Sequence, residues 1–214
     1  MLGFTPVPVN ATDIVVVPEG YRVQVLGAWG EPIAGNLPAW RPNGANTADE
    51  QEVQIGQHHD GMHYFPIDGS SEDGLIVVNH EYIDPRMLHG VDYAGNALRD
   101  GEVMVDADGT RPVEHVRKEL FAHGVSVYRT RKGAEGWEIV ADPHNRRVHG
   151  LTPMQIAGPV RGSAHVVTKY SPDGTRTRGT LNNCAHGVTP WNTYMAAEAV
   201  SANRVGSHFV PTRQ

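Results

Sequence analysis

The sequence predicts an all-β protein with many short strands, arranged as a sandwich or a propeller. Its 214 residues include 24 glycines and 15 prolines, a combined share above the typical value of about 12%, and these turn-forming residues are spread along the chain. Apolar and polar residues alternate over Tyr21–Leu26, which is the period of a strand with one buried face. Neither a regular alternation of strands and helices nor a long helical pattern is present, so a parallel α/β fold is not expected.

Each predicted strand combines an apolar or alternating run with a nearby turn signal. Leu75–Asn79 is a continuous apolar run that follows the turn-forming Ser71–Gly74, as expected of a strand buried on both faces. The segments Lys132–Gly136 and Ser171–Gly174 each separate two such runs and therefore predict hairpins. The predicted strands are Asp13–Val17, Tyr21–Leu26, Leu75–Asn79, the hairpin pair Val125–Thr130 and Trp137–Val140, and the hairpin pair Ala164–Lys169 and Thr177–Leu181.

One helix is predicted, over Pro112–Ala122. Pro112 suits the first turn of a helix, where its missing N–H has no intrahelical partner to lose. Val113, Val116 and Leu120 then share one face, which predicts the apolar side of the helix.

Charge and cysteine content exclude several classes of protein. The formal net charge of −6 disfavours nucleic acid as a dedicated partner and disfavours a polybasic membrane anchor. Apolar runs such as Leu75–Val78 are far too short to span a bilayer. Cys184 is the single cysteine, so an intrachain disulfide is excluded, and the first residues show no secretory signal pattern.

Two polar clusters lie around the predicted strand Leu75–Asn79. Gln57–His63 contains three histidines and a carboxylate, which are common metal ligands, with His59 and Asp60 as candidates. A solvated loop that ends in an Asp-Gly turn explains that segment equally well. Asn79–Tyr82 follows the buried strand directly, and Glu81 is its sharpest metal-ligand candidate because a carboxylate there must be paired, exposed or bound to a metal.

Two further clusters lie in the second half of the chain. In Gly179–Trp191, the residues Asn183, Cys184 and His186 fall close together, and a thiolate favours a transition metal. A lone cysteine is more often a small buried apolar residue. The adjacent Arg146 and Arg147 are candidates for holding a phosphate group through forked hydrogen bonds, although two solvated arginines at a turn fit the same pattern.

The polar clusters and several strands together resemble the PhoX family of alkaline phosphatases, in the N-terminal portion of those proteins. The matching text runs in family order over nearly the whole chain, and no single segment decides it. The segments are Val17–Tyr21, Leu26–Pro32, His59–Met62, Gly74–Tyr82, Gly124–Val127, Asn145–Arg147 and Gly179–Trp191.

The resemblance implies a β-propeller with a central cluster of iron and calcium that hydrolyses phosphate esters in the periplasm or outside the cell. By motif matching, Glu81 and Cys184 correspond to iron ligands. Glu198 falls in a Cys-Glu-Glu segment that helps to hold calcium in the family. Here the segment reads Ala197-Glu198-Ala199, so only its first glutamate matches.

Because family members are much longer, residues 1–214 are expected to form the N-terminal part of such a domain. The chain would then be an incomplete propeller that holds the first blades only and lacks the C-terminal blades. The predicted function is a metal-dependent phosphatase that acts on small phosphate esters, with part of the active site on this chain. The alternatives are a non-catalytic binding or interaction module and an inactive truncated fragment.

The predicted site residues have graded roles under this hypothesis. Glu81, Cys184 and Glu198 are the metal ligands, and the sequence does not identify a catalytic nucleophile. The weaker candidates, which would support the ligands or hold calcium, are His59, Asp60, Asn79, Asn183 and His186. Because a metal site needs convergent ligands, Asn79–Tyr82 and Asn182–His186 are predicted to lie close together although they are far apart in the chain.

Overall fold

A computed structural model describes residues 3–92, 95–99 and 102–198. Its helices are α1 (Ala48–Gln51), α2 (Pro85–His89) and α3 (Val113–Ala122), with a 3-10 turn at Ala164–Val166. Its strands are β1 (His59–Pro66), β2 (Asp73–His80), β3 (Gly124–Lys132), β4 (Trp137–Val140), β5 (Arg146–Val148), β6 (Pro153–Gln155), β7 (Arg176–Arg178), β8 (Asn183–Val188) and β9 (Tyr194–Glu198).

All strand pairs within the described ranges are antiparallel, which confirms the prediction of a predominantly β fold. The largest sheet has the order β1-β2-β3-β4, and β5 pairs with β3 beside β4. The pairs β6-β7 and β8-β9 form two smaller sheets, and no sheet closes into a barrel in this part of the chain. A search of the described residues for a helix that is long and apolar enough to cross a membrane finds none.

Strands β2 and β3 form the centre of the fold because both of their faces are covered. Val78 and Tyr128 pack with Ile33 and Ile55 on one face. Val77 and Val125 pack on the other face with Val127. This arrangement confirms the predicted buried strand Leu75–Asn79 and the predicted hairpin of β3 and β4.

The two N-terminal predictions, strands at Asp13–Val17 and Tyr21–Leu26, are wrong. Both segments lack a strand assignment, and apolar side chains such as Val15 and Val25 are exposed. Their β-branched residues favour an extended backbone, but none of the described strands pairs with them. Gln24 contacts the sheet only through its side chain, which bonds to the backbone N–H and carbonyl of Trp137.

The predicted hairpin of Ala164–Lys169 with Thr177–Leu181 is also wrong. The first segment contains the 3-10 turn, and β7 covers only the start of the second and pairs with β6 instead. The turn itself forms as expected, because Ser171 Oγ donates to Asp173 Oδ1 at 2.9 Å and accepts the Thr175 N–H at 3.0 Å.

The predicted helix is confirmed as α3, with Pro112 at its N-cap, but of its predicted apolar face only Leu120 is buried. Val113 is 71% exposed, whereas Lys118 and Glu119 are buried. Lys118 Nζ donates to the Gly44 and Leu88 carbonyls, and burial lowers its pKa to about 8. Burial alone would raise the pKa of Glu119, but hydrogen bonds from Arg111 and His89 lower it to about 2. Hydrogen bonds therefore allow charged side chains to face inward, which helical periodicity does not reveal.

Candidate metal centre

Three strands bring distant polar segments to one place. Asp60 lies near the start of β1, and Glu81 directly follows β2. These two positions are neighbours because His59 pairs with His80 in the antiparallel β1-β2 ladder. Strand β8, which contains Cys184, packs against both β1 and β2.

The carboxylates of Asp60 and Glu81 and the Cys184 thiol form a three-ligand cluster, called the acidic trio below. One ligand atom from each residue lies within 4.8 Å of the other two. Asp60 is exposed, and Glu81 and Cys184 are half-buried. The predicted convergence of Asn79–Tyr82 with Asn182–His186 is thus observed. Asp60, which the sequence ranked among the weaker candidates, is one of the three converging ligands.

The chemistry of the acidic trio fits a transition metal. Within the described part of the chain, neither carboxylate accepts a hydrogen bond or forms an ion pair, so their mutual repulsion has no protein cation to offset it. A thiolate ligand favours a transition metal over a hard cation. Calcium takes six to eight oxygen ligands, and two carboxylates with a sulfur do not supply them. The trio therefore fits a transition metal and does not by itself fit calcium.

The backbone of Glu81 is held from both sides. Its N–H donates to the His58 carbonyl at 3.0 Å, and its own carbonyl accepts Asn182 Nδ2 at 3.2 Å. Asn182 has a φ of +52°, a left-handed conformation that asparagine adopts more readily than most residues. These contacts tie the end of β2 to the segment that leads into β8.

Asn79 is fully buried and joins β2 to β8 through its side chain. Its Nδ2 donates to the Cys184 carbonyl at 2.9 Å and to the Ala185 carbonyl at 3.1 Å. Its Oδ1 lies 3.0 Å from the Tyr194 hydroxyl. Both polar atoms of Asn79 are thus engaged within the protein, and the side chain lies outside the acidic trio.

The sequence did not identify Tyr194, although it borders the acidic trio. Its hydroxyl lies 2.9 Å from the Gly61 carbonyl and 3.0 Å from Asn79 Oδ1. Its ring stacks on His186 with centroids 5.6 Å apart. Burial, and then the nearby charge of Asp60, raise the pKa of Tyr194 to about 12. Only the tertiary contact with Asn79, 115 positions away, reveals its place.

The two histidine candidates lie outside the trio. His59 Nε2 lies 2.8 Å from the Gly27 carbonyl, and its ring packs edge-on against His80. Burial lowers the pKa of His59, which favours a neutral ring. His186 stacks on Tyr194 and is tilted against His63, with centroids 5.9 Å apart.

Asn183 and Glu198 also lie outside the trio, so a role of Glu198 in holding calcium stays a prediction. Glu198 Oε1 accepts the Thr180 hydroxyl and the Leu181 N–H. Asn183 is buried and donates from Nδ2 to Thr180 Oγ1 at 2.9 Å. Glu198 thus caps the turn before β8. Ala199, the next position of the family segment, lies outside the described residues.

The prediction that Arg147 contacts phosphate is wrong. Arg147 is buried, and its guanidinium donates to the backbone carbonyls of Val125, Gln54, Phe121 and His123. This burial lowers its pKa to about 9. The neighbouring Arg146 is exposed and bonds to the His144 carbonyl at 2.7 Å, so a phosphate-binding role stays a prediction for Arg146 alone.

Comparisons with known proteins identify the class of protein that carries this site. The family model described as alkaline phosphatase PhoX matches residues 2–214. The chain therefore belongs to the PhoX family. A search of curated proteins finds no match.

Among solved structures, the chain is similar to that of Pseudomonas fluorescens PhoX in complex with vanadate, a transition state analogue. The identity is 37% and the TM-score is 0.78. The alignment covers 91% of this chain but only 31% of the Pseudomonas chain, so the chain spans about a third of that relative.

Proposed function

We propose that this chain provides part of the active site of a metal-dependent phosphatase, with Asp60, Glu81 and Cys184 as ligands to iron. The convergence of these three side chains within 4.8 Å is the observation that carries the proposal. Membership of the PhoX family supports the reaction class. A small phosphate ester is the proposed substrate, supported by the transition state analogue bound to the Pseudomonas relative.

Bound metal would neutralise charge on the ester oxygens and activate an oxygen nucleophile. The role of this chain is to place the ligands before the metal arrives. The contacts of His58 and Asn182 fix the backbone from which the Glu81 side chain extends. A preorganised ligand set matters because small misplacements in a catalytic site are costly.

Calcium is proposed as a second metal, with most of its oxygen ligands supplied from outside the acidic trio. We propose further that β1-β2-β3-β4 is one blade of a propeller, since it is four antiparallel strands in sequential order. A periplasmic or extracellular location is proposed from the family alone.

A non-catalytic binding module is the second candidate. The segment Ala197-Glu198-Ala199 favours it, because alanine stands at two of the three positions that the family resemblance links to calcium.

A side-by-side assay separates the two candidates. The isolated 214-residue chain and the longest product that its gene encodes are stripped with a chelator, supplied with iron and calcium, and given a chromogenic phosphate ester. We expect turnover by the longest product that depends on both metals and little or none by the isolated chain, because the trio offers too few oxygens for several hard cations. A metal-loaded longest product without turnover would favour the binding module. Robust turnover by the isolated chain would show that the catalytic unit is smaller than proposed.

A further inference from the structure

We infer that Asn79 and Tyr194 are positioning residues that hold Cys184 in register with Asp60 and Glu81. This inference rests on the proposed function and adds to it the means by which the thiol is placed. Neither side chain belongs to the acidic trio, and both act through the backbone of β8 and β1.

The first observation is a gap in the ladder of β8 and β9. Asn183 pairs with Glu198 and His186 pairs with Ala196, and the register shifts between these two pairs. Two residues of β8, Cys184 and Ala185, therefore face one residue of β9, Ala197, as expected of a bulge. Asn79 Nδ2 donates to the carbonyls of these two residues. A side-chain amide from another sheet therefore binds the bulged part of β8.

The second observation is the contact that orients the amide. The Tyr194 hydroxyl lies 3.0 Å from Asn79 Oδ1 and 2.9 Å from the Gly61 carbonyl, and its single proton is shared between these two acceptors. Since the two β8 carbonyls can only accept, they require the NH₂ group of Asn79 to face them and leave its oxygen toward Tyr194. Asn79 is fully buried, and a buried amide is costly unless its polar atoms are satisfied. These contacts therefore fix both the position of the Asn79 side chain and the direction in which its NH₂ group points.

The third observation comes from Gly61, which follows Asp60. A Cβ atom at Gly61 would lie 2.6 Å from the Cys184 carbonyl oxygen and 3.0 Å from Asn79 Nδ2. The first distance is shorter than a side-chain carbon tolerates and involves backbone, so β1 approaches β8 this closely only with glycine. The Gly61 carbonyl also lies 2.9 Å from the Tyr194 hydroxyl. The contacts of Asn79, Tyr194 and Gly61 thus set the spacing between β1, which contains Asp60, and β8, which contains Cys184.

Cobalt(II) provides a test that does not depend on catalysis. Cobalt bound to a thiolate gives a near-ultraviolet charge-transfer band whose position and intensity report the metal–sulfur geometry. We expect Asn79→Ala to weaken cobalt binding about 10- to 100-fold, the usual effect of removing a group that orients a ligand, and to alter the band. Tyr194→Phe, which keeps the ring that stacks on His186, should weaken binding about fivefold through loss of one hydrogen bond.

Asn145→Ala is the matched control. Asn145 is also buried, with Nδ2 donating to the Val140 carbonyl and Oδ1 accepting the Arg129 N–H. It has no contact with β8 among these bonds, so it should leave the cobalt affinity and the band unchanged.

The outcomes separate the inference from the proposed function. If the unaltered protein binds no cobalt through its thiol, the proposed metal site fails and the inference fails with it. Suppose instead that the unaltered protein shows the charge-transfer band. If Asn79→Ala and Tyr194→Phe then keep the shape of that band and the cobalt affinity, only the inference is overturned. An equal loss with Asn145→Ala would also overturn it, because general destabilisation would then explain the effect. Should Asn79→Ala not fold, Tyr194→Phe decides the question.

Discussion

Replacing Cys184 with alanine is expected to lower phosphatase turnover of the longest gene product by more than about 100-fold, beyond the usual effect of losing a group that only orients a ligand. Cys184 offers the single sulfur ligand of the acidic trio, and alanine offers none. The measurement is hydrolysis of a chromogenic ester by variant and unaltered protein, each loaded with iron and calcium.

Cys184→Ser refines this test because serine keeps the size of the side chain but lacks a thiolate at neutral pH. We expect the turnover of Cys184→Ser to be as low as that of Cys184→Ala, because both variants lack the soft sulfur ligand. Far-ultraviolet circular dichroism serves as the control for folding. Full turnover by both folded variants would show that Cys184 is not a metal ligand.

Replacing Arg147 with methionine should give the largest loss of stability. Methionine retains the packing of the stem but leaves the carbonyls of Gln54, Phe121 and His123 without the guanidinium. Each unsatisfied buried acceptor costs on the order of 1–3 kcal/mol, and such costs are not fully additive. We expect the free energy of unfolding to fall by about 3–5 kcal/mol, as measured by urea denaturation.

The adjacent arginine provides the control for this prediction. Arg146 is exposed and bonds to one carbonyl, so Arg146→Met should change the free energy of unfolding by no more than about 0.5 kcal/mol. Equal effects of the two substitutions would show that the buried guanidinium does not fasten α3 and β3 to the rest of the sheet.

Three strands of the central sheet, β2, β3 and β4, could be predicted from the sequence, whereas β1 and β5 were not predicted because their residues form polar clusters. Leu75–Val78 is apolar throughout, and β3 and β4 flank a short glycine-bounded turn. The N-terminal segments have a similar propensity, but a strand also needs a partner. Propensity alone could not show that Asp13–Val17 and Tyr21–Leu26 have none among the described strands.

The candidate site was predicted where unusual polar residues follow a buried strand, as at Glu81, or cluster between glycines, as at Cys184. Asp60 ranked too low because an Asp-Gly pair is also a common turn signal. Tyr194 was missed because its only relevant contacts are tertiary. Arg147 was misjudged because a pair of arginines reads the same in sequence whether its side chains are exposed or buried.

X-ray absorption at the iron edge tests the central claim most directly, because it reports the atoms bound to iron whether or not the protein turns over. The account predicts that iron bound to the unaltered chain has one sulfur neighbour together with oxygen neighbours, that Cys184→Ala removes the sulfur signal, and that Glu81→Gln weakens iron binding. An iron-loaded chain without a sulfur neighbour, or with a spectrum that Cys184→Ala leaves unchanged, would contradict the assignment of Asp60, Glu81 and Cys184 as the metal centre.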